Sequence, residues 1–292
     1  MPEIPNITLN NGRTIPQLGF GTLNVPPERD PTPENTAKTA EIVGLALEAG
    51  YRHIDTAQGY GNERGVGDAI KASGIPRDEL FVTTKLGSAN HRPDDVKRSF
   101  EESLEKLSLD YADLFLIHWP LPMLYDGDFV STWKAITELV EEGTLRSGGV
   151  SNFEPDHLDR IISETGVVPA VNQIELHPNF LNHDAAAACI KHGIAVESWS
   201  PLGHGSLLNE PVIAQVAQAR QKSPAQVLLR WHVQHHLIVI PKSMHRERIE
   251  ENAAIFDFAL TAEEMNSIDA MDRGEAGRTG PNPNTFGGPQ GR

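Results

Sequence analysis

Asp113-Leu114-Phe115-Leu116-Ile117-His118-Trp119-Pro120 is a run of four large apolar residues closed by a histidine, a tryptophan and a proline. Continuous apolar character, without the alternation of a half-exposed strand, predicts a β-strand covered on both faces, as in a parallel sheet. Phe81-Val82-Thr83-Thr84, Val171-Asn172-Gln173-Ile174 and Leu237-Ile238-Val239-Ile240 read the same way. Weaker candidates are Leu18-Gly19-Phe20, Arg52-His53-Ile54, Gly148-Gly149-Val150 and Ala195-Val196-Glu197-Ser198, which bring the count to eight.

Helical patterns separate these strands. Val96, Phe100, Leu104 and Leu107 share a face, as do Phe129, Trp133, Ile136 and Val140, and Ala40, Val43 and Leu47 in the first helix. Gly50, Gly74, Gly143 and Gly193 stand where left-handed helix caps are wanted. Two helices, around 211–221 and 224–235, fill the longer interval before the last strand. Repeated βα units imply right-handed crossovers, and eight of them predict a closed (β/α)₈ TIM barrel rather than an open sheet. Ahead of the first unit, Ile7-Thr8-Leu9, Asn10-Asn11-Gly12 and Thr14-Ile15 predict a β-hairpin with an Asn-Gly turn. Val25 to Pro33, with prolines at 26, 27, 31 and 33, reads as the loop after the first strand. No domain boundary interrupts the pattern, so residues 1–292 are expected to form one barrel domain. Asp272 to Arg292 is a Gly/Pro-rich, loop-like tail whose order over the barrel mouth is left open by its composition.

Composition narrows the function. The formal charge is −15 and the sequence pI about 5.2, so nucleic acid and anionic membrane surfaces are disfavoured as partners. Cys189 is the sole cysteine, which rules out an internal disulfide and fits a reducing compartment. Met1-Pro2-Glu3-Ile4-Pro5 lacks the basic-then-apolar pattern of a signal peptide, and the most apolar stretch, Leu114 to Leu124, is too short to span a bilayer. A cytoplasmic location is expected, and no protein partner is evident.

In a barrel of this kind the working face is the C-terminal end of the strands. Asp55, Lys85 and His118 follow the second, third and fourth apolar runs, and Ser151 with Asn152 the fifth. Gln173 lies within the sixth, Trp199 follows the seventh, and Lys242 with Ser243 the eighth. The spacings of 30, 33 and 33 residues from Asp55 through Lys85 and His118 to Ser151 are each about one βα unit, so these side chains converge on one rim. Singly, each has an ordinary explanation: a solvated lysine, an aspartate N-cap, a core histidine. In phase with the barrel repeat, they form a set whose members shift one another's pKa values. Tyr60, five residues after Asp55, completes it. Beside an ammonium it is expected to ionise more easily, and so to give and take a proton near neutral pH. Asp55 would hold Lys85 charged, and His118 would donate to a carbonyl oxygen. The set is a proton-delivery device for a carbonyl whose carbon receives a hydride.

The chain resembles the aldo-keto reductase family over nearly its whole length. The resemblance is carried by Gly50-Tyr51-Arg52-His53-Ile54-Asp55-Thr56-Ala57 with Tyr60 and Asn62-Glu63, by Thr83-Thr84-Lys85-Leu86 and by Asp113 to Pro120. Gly149-Val150-Ser151-Asn152-Phe153 and Ile240-Pro241-Lys242-Ser243 are similar too. It implies NADPH-dependent reduction of small aldehydes and ketones, with a tetrad of Asp55, Tyr60, Lys85 and His118 in which Tyr60 is the general acid. It also implies NADPH or NADP+ lying extended across the barrel mouth. Ser151, Asn152 and Gln173 would hold the carboxamide and Trp199 would stack on the nicotinamide. Lys242, Ser243 and Arg248 would clamp the 2′-phosphate, with Glu251 and Asn252 near adenine. Thr22, Ser200 and Leu202 join the implied cofactor contacts, and Leu23 and Trp119 the substrate contacts. Tryptophan at 199 is similar to a bacterial branch that includes 2,5-diketogluconate reductases.

Two other readings remain in view. His53, Asp55, His118 and His177 could be ligands in a metal-dependent barrel hydrolase, although that leaves Tyr60, Lys85, Lys242 and Arg248 without a task; no metal is expected. An NADPH-binding, redox-sensing subunit with little turnover would share the cofactor residues. His232 and His236, four apart on an expected helix, read as surface histidines, and Gly59, Gly61, Gly65 and Gly67 do not have dinucleotide-fingerprint spacing.

Overall fold

In the computed structural model, which describes residues 4–288, the chain opens with two short antiparallel strands, β1 (Asn6–Thr8) and β2 (Thr14–Pro16). The Leu9 N–H donates to the Arg13 carbonyl at 2.8 Å, leaving Asn10, Asn11 and Gly12 as the loop. Gly12 alone in that loop has positive φ, +81°, so the turn is the three-residue type that ends on a left-handed glycine, not a two-residue primed turn. Leu9 and Ile15 are buried against Leu114, Leu116, Val171 and Ile238 at the lower end of the barrel, which the hairpin thereby closes to water.

Eight parallel strands follow: β3 (Phe20–Gly21), β4 (His53–Asp55), β5 (Phe81–Leu86), β6 (Leu114–Ile117), β7 (Gly148–Ser151), β8 (Val171–Glu175), β9 (Ala195–Trp199) and β10 (Ile238–Val239). They lie in sequence order, and the ring closes between its first and last members. Leu18 bridges Val239 in parallel, the Gly19 N–H donates to the Val239 carbonyl at 2.9 Å, and the Val239 N–H donates to the Gln17 carbonyl at 2.9 Å. This is the (β/α)₈ barrel. Its helices are α1 (Pro33–Glu48), α2 (Glu63–Ser73), α3 (Pro93–Leu107), α4 (Phe129–Glu142), α5 (Pro155–Thr165), α6 (His183–His192), α7 (Pro211–Arg220), α8 (Pro224–Gln234), α9 (Arg246–Ala253) and α10 (Ala262–Asp269). Proline in the first turn starts α1, α3, α5, α7 and α8, where its missing N–H costs nothing. Among the described residues no helix is long and apolar enough to cross a membrane.

The two faces of each strand divide the labour. Phe115 and Ile117 pack outward with Phe100, Trp133 and Ile136 of the helices, while Leu114 and Leu116 point inward. In β4, β5, β8 and β9 the inward set is instead largely polar: His53 and Asp55, Thr83 and Lys85, Gln173 and Glu175, and Glu197, all buried. The interior is therefore apolar at the hairpin end and polar towards the mouth.

One expectation is corrected here. His232 is not a surface residue but fully buried on α8, with Nδ1 2.7 Å from the Leu228 carbonyl and Nε2 3.2 Å from the Leu176 carbonyl. Burial pushes its pKa down to about 4, so the ring is neutral. His236 lies past the helix end at positive φ, so the two never share a helical face.

Candidate active site

The strand ends bring four reactive side chains together. Asp55 is the last residue of β4 and Lys85 lies inside β5, because the ladder continues through the pairs Asp55–Thr83 and Lys85–Leu116. Both were expected just beyond their strands; being within them, they are buried inside the barrel, Asp55 at 2% and Lys85 at 0% exposure. His118 is the first residue after β6, and Tyr60 ends a single 3₁₀ turn, Gln58–Tyr60.

Lys85 Nζ donates to Asp55 Oδ1 at 2.6 Å, to the Thr56 carbonyl at 2.9 Å and to Tyr60 Oη at 3.3 Å. An ammonium has three N–H bonds, so Lys85 is fully committed. Because Tyr60 Oη accepts from Lys85, its own proton points elsewhere, and Tyr60 faces the cavity at the barrel mouth together with His118. The Tyr60 and His118 rings meet edge to face, with centroids 5.7 Å apart.

Burial works against charge on Lys85, but Asp55 and Tyr60 outweigh it and raise the ammonium above its ordinary pKa. His118 is held well below the usual histidine value, first by burial and then by the Lys85 charge, so it is a neutral donor. Tyr60 departs from expectation. Lys85 does pull its pKa down, but burial pushes it up more strongly, Asp55 adds to that, and the net direction is upward. The phenol is thus protonated at neutral pH. A protonated phenol 3.3 Å from an ammonium has a cation at hand for the anion that would form if it gave up its proton.

Around the tetrad lies a cavity of about 1150 Å³. Leu23, Trp119 and Phe286 line it, together with Ser151, Asn152, Gln173 and Trp199 and with Ser200, Leu202, Lys242, Ser243, Arg248, Glu251 and Asn252. Asn152, at positive φ, joins three residues of the site: it donates to the His118 carbonyl at 2.9 Å and to Ser151 Oγ at 3.1 Å, and accepts from the Trp199 indole N–H at 2.9 Å, while Ser151 Oγ donates to the Gln173 carbonyl at 2.8 Å. Thr22 stands apart. It is fully buried behind Asp55, donating Oγ1 to the Asp55 carbonyl at 2.9 Å, and does not line the cavity.

Lys242 and Arg248 have no carboxylate within ion-pair distance among the described residues, whereas nearby Arg246 pairs with Glu48 and Glu250. Partial burial lowers the Lys242 pKa. Two unpaired cations on one wall of an acidic protein suit an anion. The metal reading finds no support: among the described residues no three His, Cys, Asp or Glu side chains converge as a metal would require. His53 is buried beside Thr83, and His177 is spent on Glu175.

The aldo/keto reductase family model matches residues 17–273. The chain belongs to this family. It is 49% identical to an aldo-keto reductase of Mycolicibacterium smegmatis, covering 97% of this chain and 98% of the relative. A glyoxal reductase of Bacillus subtilis is 44% identical over 95% of each chain. Among solved structures, a mutant of Gox0644 in complex with NADPH superimposes with a TM-score of 0.89 at 44% identity, covering 97% of this chain and 99% of that one.

Several residues in or beside the reductase's cavity have no place in the sequence reading. Phe286, the one aromatic residue of the tail, packs on Trp119 with ring centroids 4.3 Å apart. Its isolation in a Gly/Pro-rich segment was the available signal. Arg29, in the proline-rich loop, is held by Asn24 Oδ1 through Nε at 3.1 Å and Nη2 at 3.0 Å, and its charge reaches Tyr60 and His118. Glu175 fastens the tail: it accepts from the Thr279 N–H at 2.7 Å, Thr279 Oγ1 at 2.5 Å, the Gly280 N–H at 2.9 Å and His177 Nε2 at 3.1 Å. Gly280 is pressed on Trp199, whose ring carbon would lie 2.4 Å from any added Cβ.

Burial alone would raise the Glu175 pKa, but these donors hold it down at about 2. A depressed carboxylate pKa stabilises the folded tail above the unfolded value of about 4.3, and that contribution is lost as pH falls towards 2. At pH 7, Glu175→Gln is expected to speed hydrogen exchange at the Thr279 and Gly280 amides by about tenfold or more, the worth of one charged hydrogen bond. Unchanged exchange at both amides would show that the carboxylate does not hold the tail.

Proposed function

We propose that the reductase converts aldehydes and ketones to alcohols with NADPH, Tyr60 delivering the proton to the carbonyl oxygen. NADPH, when bound, supplies the hydride that the carbonyl carbon receives. The observation that carries the assignment is the direction of one hydrogen bond: Tyr60 Oη accepts from Lys85, which turns its proton towards the cavity beside a neutral His118 donor. His118 and Tyr60 together hold the carbonyl oxygen, and Lys85 stabilises the phenolate as it forms. Asp55 keeps Lys85 charged and aimed.

The cavity suits a dinucleotide in its donor set. Ser151, Asn152 and Gln173 offer hydrogen-bonding groups for a carboxamide, the Trp199 ring a flat face, and Lys242, Ser243 and Arg248 a phosphate clamp at the start of α9. Leu23, Trp119 and Phe286 give the carbonyl end an apolar lining, and the glyoxal reductase among the relatives favours small reactive carbonyls as substrates. The direct test is oxidation of NADPH with 4-nitrobenzaldehyde as acceptor. Tight NADPH binding without turnover would favour a redox-sensing subunit instead.

Cofactor choice gives a second test. A charged hydrogen bond is worth about 1.5–3 kcal/mol, or roughly ten- to 150-fold in affinity. Arg248→Ala is therefore expected to weaken NADPH binding by about that factor and leave NADH nearly untouched, with the effect shrinking as salt rises because Arg248 is exposed. Fluorescence titration with both cofactors measures it. Equal losses would place Arg248 at adenine or in the fold rather than at the 2′-phosphate.

A further inference from the structure

Gln173 has a second carboxylate beneath it. Glu197, the middle residue of β9, pairs in register with Gln173 of β8 and with Ile238 of β10, and is fully buried inside the barrel. Gln173 Nε2 donates to Asp55 Oδ2 at 2.8 Å and to Glu197 Oε2 at 3.0 Å. A primary amide nitrogen carries two hydrogens, so both are used by the two carboxyl groups. The opposite amide orientation would put the Gln173 oxygen against an Asp55 oxygen, which the Asp55–Lys85 ion pair keeps negative. Only the amide oxygen is left for the cavity that Gln173 lines.

We propose that Glu197 is a positioning residue: by taking the second N–H of Gln173, it fixes that amide with its carbonyl oxygen towards the cavity, where it accepts from the NH₂ of the cofactor carboxamide. The proposal rests on the reading that the carboxamide lies at Ser151, Asn152 and Gln173.

The charges around Glu197 are compatible with this role. His53 and Asp55 face it from β4 and Lys85 from β5, while β8 presents Gln173 and β10 only Ile238. His53 is neutral, its pKa lowered to about 3 by burial and then by Lys85. Burial, then the Asp55 charge, pushes the Glu197 carboxyl above the usual carboxylate range, and Oε2 accepts from Gln173 in either protonation state. Among the described residues Glu197 Oε1 has no hydrogen-bond partner, and His53 Nε2, 3.7 Å away, is turned to Thr83 Oγ1 at 3.1 Å. A carboxyl kept in the interior for packing alone would be replaced by leucine without a selective effect on ligands.

The test compares NADPH with 2′-phospho-ADP-ribose, which keeps the phosphates and adenosine but lacks nicotinamide. Dissociation constants are measured by protein fluorescence at pH 7 for the wild type, Glu197→Leu, Glu197→Gln and Gln173→Leu. Glu197→Leu is expected to weaken NADPH about five- to tenfold, the worth of one neutral hydrogen bond, and to leave 2′-phospho-ADP-ribose unchanged. Glu197→Gln, which keeps an acceptor oxygen, is expected to bind both as the wild type does. Equal losses for the two ligands, no loss, or a Glu197→Gln defect as large as that of Glu197→Leu would overturn the proposal. Gln173→Leu separates the two layers. Selective loss of NADPH there, with none in Glu197→Leu, removes the role of Glu197 alone; no selective loss in either removes the carboxamide placement as well. Should Glu197→Leu fail to fold, Glu197→Met, closer in shape and equally without an acceptor, is read by the same outcomes.

Discussion

In Tyr60→Phe, kcat for aldehyde reduction is expected to fall by about 10²–10⁴, while NADPH binding stays close to that of the wild type. The substitution removes one oxygen from a ring that is otherwise held by its edge contact with His118. Lys85 keeps two of its three acceptors, Asp55 Oδ1 and the Thr56 carbonyl, so its charge and position persist. What disappears is the only donor in the tetrad that both carries a transferable proton and touches an ammonium able to stabilise its anion. His118 remains and polarises the carbonyl, but giving up its single ring proton would leave an imidazolate, so it is a poor substitute acid. Single-turnover rates with 4-nitrobenzaldehyde, paired with a fluorescence titration of NADPH, separate chemistry from binding. Turnover near the wild-type rate would assign the proton to another group.

Much of this arrangement was legible because the barrel repeat is written in the spacing of residues. Four apolar runs and four weaker ones gave eight strands, and reactive side chains recurring about once per βα unit had to meet at one rim. Which way each side chain faces inside a strand was less legible. Asp55 and Lys85 were read as lying past the ends of short runs, yet strand pairing carries both into the barrel, and burial then decides their electrostatics. The Tyr60 pKa shows the consequence: the sequence showed the neighbouring cation but not the loss of solvent, and the loss of solvent is the larger effect. His232 reads as a surface residue for a related reason, since histidine counts as polar in a helical pattern although the Leu228 carbonyl, 2.7 Å from Nδ1, can take its single ring N–H in the core. Glu197 lies in a weak strand candidate, and no local pattern marks it. Its meaning depends on Gln173 being opposite, a pairing of residues 24 apart that only the sheet register supplies. The grip of Glu175 on Thr279, 104 residues on, lies further still from any local pattern.

Lys85→Met is expected to damage both rate and stability, for different reasons that a second substitution can separate. Removing the ammonium leaves Asp55 buried, with the Gln173 amide as its side-chain donor. Breaking a buried pair by deleting one partner costs about 3–5 kcal/mol, which for a chain of this size is on the order of 10 °C in Tm. The Tyr60 pKa, already above its ordinary value through burial, loses the charge that pulls it down and moves further up. In the reduction direction the ground-state phenol is protonated either way, so the loss falls on the transition state, where the anion is no longer stabilised. In the oxidation direction the phenolate is the base, and the rising limb of the pH–rate profile moves to higher pH. An unmoved limb at an unchanged rate would put Lys85 outside the reacting set. Lys85→Met combined with Asp55→Asn removes both charges of the pair, so position 55 no longer holds a carboxylate without its cation. That double variant is expected to recover most of the lost Tm by calorimetry while its kcat stays as low as that of the single variant. Recovery of rate together with stability would mean that Lys85 serves the fold alone.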